Sequence, residues 1–240
     1  MGIAIYHMEE PIPYAIQSDK YAPTGDVNVE YPQLCIRTNR TPERTDIEEV
    51  VDAANKVADQ FPIEDKENRA KAVTEALTKI FGSGSFGHTW ILFFNSNNQG
   101  DSTTYGYHEG YGYVKNGTGS GTNDSPERKF HVQHCVPLSN PDKQPAQLEK
   151  TVIPALNKAS ADIANIMGIP VPDPSKGAYT PINNCAWFAG NLWNYATDEQ
   201  FIYEQEFNGA AHADYWGMPF LNAVETISDP GMVAETINGL

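Results

Sequence analysis

Apolar residues recur at helical spacing early in the chain and then switch to strand-like runs. Ile47, Val50, Val51, Ala54 and Val57 follow the capping-box pattern Thr45-Asp46-Ile47-Glu48 and predict a helix to about Gln60. Ala70, Val73, Leu77 and Ile80 share one face of a second helix expected over 64–80, ended by Gly82. From His88 the pattern shortens. His88-Thr89-Trp90-Ile91-Leu92-Phe93-Phe94 reads as a strand, 95–102 as a polar turn and 103–107 as the returning strand of a hairpin. Short strands are expected at 111–115 and 129–138, separated by a Gly/Asn/Thr/Ser stretch over 116–127 that reads as a flexible loop. Residues 1–43 are Pro-rich and irregular, with candidate strands at 3–6 and 33–37.

A Pro-rich linker at 141–145 leads to an amphipathic helix over 148–167, capped by Gly168. Four prolines then make 170–181 a loop that delivers the chain to Asn183-Asn184-Cys185-Ala186-Trp187-Phe188. The asparagines are good N-caps, and the apolar run after them predicts a buried helix with Cys185 in its first turn. There the helix dipole and free amides favour a thiolate, so Cys185 is a candidate nucleophile in need of a histidine. The plainer reading is a small apolar residue filling the core. Residues 198–240 are mixed and aromatic-rich, with short helices expected at 220–227 and 232–237.

Composition narrows the partners. A net charge of −15 argues against nucleic acid and anionic membrane surfaces, which repel it. No run of about 18 apolar residues exists to span a membrane. The start lacks the basic segment and long apolar run of a signal peptide, so synthesis in the cytoplasm is expected. Action outside the cell would then need a dedicated secretion machine. Cys35, Cys135 and Cys185 are far apart and odd in number, and imply no disulfide framework.

Other constellations compete with the cysteine. Gly82-Ser83-Gly84-Ser85-Phe86-Gly87 matches G-x-G-x-x-G, but it follows a helix and opens a strand, the reverse of a dinucleotide loop. Its glycines are better read as a tight turn leaving room beside His88. His131, His134 and Cys135 lie on one strand with no second ligand cluster, so no metal and no cofactor are expected. His88, at the edge of an apolar strand, is placed where a thiol base belongs. A hairpin centred near 98–99 sets residue 109 opposite it, so a polar group at 108 or 109 could orient the ring. Alternation favours Glu109; the adjacent glycines make a bulge there and leave His108 open, with Gln133 on the next strand a further candidate.

The motifs Gly87-His88-Thr89-Trp90-Ile91, Thr104-Tyr105-Gly106-Tyr107-His108 and Asn184-Cys185-Ala186-Trp187-Phe188, in that order, resemble circularly permuted NlpC-type papain-like hydrolases. That group includes the lecithin:retinol acyltransferase-like proteins. The resemblance implies an α+β, papain-like fold: a small antiparallel sheet packed against the cysteine helix, with extra helices. It covers about 82–195, the core of one hydrolase domain expected over 1–240, with an N-terminal helical extension (1–81) and a C-terminal extension (196–240) that have no counterpart in the group. It carries over Cys185 as nucleophile and His88 as base, with His108 chosen as third residue because an imidazole serves there in the family. Asn184, Tyr107 and Trp187 are taken as binding residues beside them.

The expected reaction is acyl transfer to water through a Cys185 thioester, with the Cys185 backbone N–H as an oxyanion donor. Within the group the substrate is either a peptide amide, notably of peptidoglycan, or a lipid acyl group. A chain of this kind without an export signal is similar to antibacterial effectors of type VI secretion. That favours a peptidoglycan amidase or endopeptidase acting in a target-cell periplasm, with secretion machinery and an immunity protein as partners. A non-catalytic binding module is the competing class; it requires Cys185 to be buried, unreactive and distant from His88.

Overall fold

Asp46 starts the first helix by accepting from the backbone N–H groups of Glu48 and Glu49. Thr45, the expected capping residue of the box, instead gives both its N–H and its hydroxyl to the buried Asp229, 184 residues away. A long-range partner thus outcompetes the local cap. The computed structural model describes residues 14–240; the strand expected at 3–6 and His7 lie outside the described residues.

In chain order the described elements are β1 (Gln33–Thr38), α1 (Ile47–Ala58), α2 (Lys66–Gly82), β2 (Thr89–Phe94), β3 (Ser102–His108), β4 (Gly112–Lys115) and β5 (Val132–Pro137). They continue with α3 (Pro145–Lys150), α4 (Val152–Met167), α5 (Cys185–Thr197), β6 (Glu204–Glu206), α6 (Ala210–Ala213), β7 (Thr226–Ser228) and α7 (Pro230–Asn238). The single helix expected over 148–167 is broken at Thr151 into α3 and α4. The helix expected at 220–227 is a 3-10 turn followed by β7.

The fold is α+β. Five antiparallel strands lie in the order β4-β3-β2-β1-β5, and β6 pairs with β7 apart from them. The strand expected at 33–37 therefore runs inside the sheet, between β2 and β5. Leu34, Ile36, Ile91, Phe93, Tyr105 and Tyr107 face one core, which also takes residues of α1, α2 and α5. Cys35, Trp90, Leu92, Phe94, Phe130 and Cys135 face a second, smaller one, under Ala22, Val29 and Tyr31. Strands covered on both faces need apolar residues at nearly every position, which is why β2 reads as a continuous apolar run.

The sheet corrects the cysteine expectation. Cys35 lies directly opposite Cys135 in the β1–β5 register, and the two form a disulfide. Odd number and wide spacing hid a pairing that only the antiparallel register creates. No helix among the described residues is long and apolar enough to cross a membrane.

Candidate active site at the strand ends

α5 begins where the sequence places it. Asn184 accepts from the N–H groups of Ala186 and Trp187 at 3.0 and 3.1 Å, and its own amide donates to Ser228 O at 2.8 Å. Its side chain is fully buried and committed to the cap, so it fixes the helix start and is not open to a ligand. Cys185 is the first helical residue and is 1 % exposed. Burial pushes its thiol up to about 11, although the Thr89 and Ala186 amides and the Tyr179 hydroxyl lower it; the Asp124 carboxylate adds to the rise. Desolvation thus outweighs the helix terminus, and the resting group is a thiol rather than the thiolate expected from position alone. Tyr179 brings its hydroxyl to 4.0 Å from the sulfur while donating to Phe81 O at 2.6 Å.

His88 is fixed by its backbone. Its N–H donates to Asn39 Oδ1 at 2.8 Å, and the Asn39 N–H donates back to His88 O at 3.2 Å. Gly87 before it has φ +92°, and a Cβ there would stand 2.3 Å from the Arg40 side chain. Gly87 therefore makes room for Arg40, and the chain reaches His88 through a 3-10 turn at Gly84–Phe86. Carrying the β2–β3 register back from Ile91↔Tyr105 sets His88 opposite His108, one residue short of Glu109. The two rings stack at 4.6 Å, and Trp90 stacks on His88 at 5.5 Å.

The residue that holds His88 is none of the three expected. Asp124, from the 116–127 loop, takes His88 Nε2 on Oδ1 at 2.8 Å and His108 Nε2 on Oδ2 at 2.7 Å. Arg128 Nη1 adds a third bond to Oδ1 at 2.9 Å, with its guanidinium 4.4 Å over the Trp90 ring. His108 is thus a second partner of the carboxylate and not the group that orients His88. Gln133 is bonded to Arg37, and Glu109 lies exposed against Gly82. The loop expected to be flexible is pinned by Asp124 N–H to Gly117 O at 2.9 Å, and Asp124 itself is 1 % exposed. One sequence signal for this existed: Gly106, inside β3, where a Cβ would lie 1.7 Å from Asp124 Oδ2. A strand glycine marks close approach of another group.

Burial alone would raise the Asp124 carboxyl, but the two imidazoles, by charge and hydrogen bond, hold it well below the usual carboxylate range. Burial lowers His88 to about 4 against the opposing pull of Asp124, so the ring is neutral at pH 7. An ionised carboxylate only accepts, so the bonded Nε2 of the neutral His88 ring carries the proton and its Nδ1 is left with a lone pair.

The cysteine and the imidazole occupy different sides of the sheet. Cys185 packs in the core with Ile91 and Tyr107, while His88 stacks with Trp90 of the opposite face. No hydrogen bond joins the thiol to His88 among the described residues. The Thr89 amide, one residue past His88, lowers the Cys185 thiol against the effect of its burial. A cavity of about 560 Å³ opens at the strand ends and is lined from both faces, by His88, His108 and Arg128 on one and Tyr107 and Tyr179 on the other. It adjoins a groove of about 880 Å³ that shares Glu109, Tyr111 and Tyr179. Tyr107 is buried and bonded to Ser160, and half-buried Trp187 packs edge-on to Tyr107.

His88, His108 and Asp124 also form a set of metal-type donors, whose atoms lie within 4.8 Å of one another. On the 131–135 strand, Cys135 is in the disulfide and His134 stacks on Trp193. No protein-family model matches the chain, and no curated protein or solved structure matches it either.

Proposed function

We propose that the protein is a cysteine hydrolase of the permuted NlpC, papain-like type that cleaves a peptide amide, with peptidoglycan as the substrate class. The observation that carries this is Asp124 on His88 Nε2, which leaves Nδ1 as an unprotonated base one residue from the amide that acts on Cys185. In the reaction, Nδ1 takes the thiol proton and the thiolate adds to the amide carbonyl. The proton passes to the leaving amine as the C–N bond breaks. Water then attacks the thioester, giving its proton to His88, and the acid product leaves with the thiol restored. The Cys185 backbone N–H, in the first turn of α5, is the donor assigned to the developing oxyanion. Before the first step the Tyr179 hydroxyl must leave Phe81 O, and His88 and Asp124 must shift together toward the sulfur so that the Nε2–Oδ1 bond is kept.

The Cys35–Cys135 disulfide supports action in an oxidising compartment such as a target periplasm. An effector of that kind needs an immunity partner in its producer. Purified sacculi and phospholipid vesicles separate the substrate classes: released peptides support the amidase, released fatty acid the lipid acyl hydrolase. A second reading, a non-catalytic binding module, is favoured by the buried thiol and the missing Cys185–His88 bond. It requires Cys185→Ala to retain every effect of the wild type, including toxicity on periplasmic expression.

A further inference from the structure

We propose that His88, His108 and Asp124 form a binding site for one divalent transition-metal ion, Zn²⁺ by donor type, and that the bound ion switches off His88 as a base. The donors are two imidazole nitrogens and a carboxylate, the set that suits zinc with a fourth position left to water. They come from three separate parts of the fold: the start of β2, the end of β3 and the 116–127 loop. Both Nε2 atoms already point at one carboxylate, at 2.8 and 2.7 Å. Ligands at about 2.0–2.1 Å in a tetrahedron stand roughly 3.3 Å apart, so the set has to open by about half an ångström. The 560 Å³ cavity reaches both rings, giving the ion a path and its water a place.

The ion replaces the two N–H···O bonds, and the His88 ring needs to lose no proton. Its proton moves from Nε2, which becomes the ligand atom, to Nδ1. That shift removes the Nδ1 lone pair. Silencing of the base therefore follows from the tautomer alone; this half of the inference rests on the hydrolase reading, whereas metal binding does not. Arg128 limits the affinity, since its guanidinium sits 2.9 Å from Asp124 Oδ1 and repels a cation.

The experiment titrates the metal-free, full-length protein with Co²⁺, whose visible absorption reports tetrahedral nitrogen and oxygen ligation, and then displaces it with Zn²⁺. One ion per chain is expected, with affinity about 100-fold lower in His108→Gln and in Asp124→Asn. In Arg128→Gln the affinity rises about tenfold, an effect that unfolding would not produce. Circular dichroism of each variant checks the fold. Absence of a stoichiometric Co²⁺ spectrum in the wild type overturns the site, as does unchanged affinity in folded His108→Gln. If binding is as expected but hydrolysis of sacculi persists with Zn²⁺ bound, the silencing is overturned and the site stands. If sacculi are never hydrolysed while Co²⁺ binds, the hydrolase reading fails and the metal site stands.

Discussion

His88 Nε2 donates to Asp124 Oδ1 across 2.8 Å, and that bond decides which nitrogen of the imidazole remains free to act. Replacing Asp124 by Asn removes the charge and leaves an amide that cannot accept from both rings. Hydrolysis by Asp124→Asn is expected to fall about 10²–10⁴-fold in kcat, with KM nearly unchanged. Steady-state rates on a soluble peptide fragment of the substrate check this. An unchanged kcat would remove Asp124 from the mechanism.

Cys185 is covered and its thiol is raised to about 11, against an ordinary value of 9.0. At pH 8 its thiolate fraction is then about 100-fold below that of a free thiol, before access is counted. Iodoacetamide should label it slowly, with a rate that climbs through pH 10–11. Tyr179→Ala, which opens the cavity toward the sulfur, should label at least tenfold faster. Rapid labelling of the wild type at neutral pH would show that the thiol is open at rest.

The neutral state of His88 makes stability depend on pH. A ring lowered from 6.5 to about 4 binds its proton in the unfolded chain before the folded one, so unfolding is favoured as pH falls between those values. Above about pH 6.5 this contribution is constant; between 6.5 and 4 it declines by up to about 3 kcal/mol. Urea midpoints across pH 4–8 report it, and His88→Gln should flatten the slope.

The disulfide joins residues 100 apart across β1 and β5. Closing a loop of that length stabilises the fold by about 3–5 kcal/mol. Arg37, two residues beyond Cys35, bonds Pro126 O at 3.0 Å in the segment that carries Asp124. Cys35→Ser is therefore expected to lower the urea midpoint and also to raise hydrogen exchange over 117–131. Exchange confined to the β5 edge would break this link between the disulfide and the site.

The sequence made part of this site legible. Asn184 announced the start of α5 because a cap is a local signal, and His88 stood out at the head of an apolar strand. The hairpin register was missed by one residue, since a polar turn over 95–101 carries no periodicity to fix its centre. Asp124 was hidden for the same reason, in a loop of Gly, Asn, Thr and Ser where only Gly106 on another strand hinted at its approach. Neither the Cys35–Cys135 bond nor the capture of Thr45 by Asp229 has a local signal; both depend on tertiary pairing. The thiolate expectation weighed the helix terminus above burial, and in the structure desolvation of the sulfur outweighs it.

In the proposed reaction the Cys185 sulfur forms a bond to the substrate acyl group. Wild type, Cys185→Ala and His88→Ala should be incubated with purified sacculi, and the released peptides counted by mass spectrometry. Release by the wild type alone, with a substrate-mass adduct on the Cys185 peptide after acid quenching, is the result expected. Equal release by folded Cys185→Ala would rule out the sulfur as nucleophile.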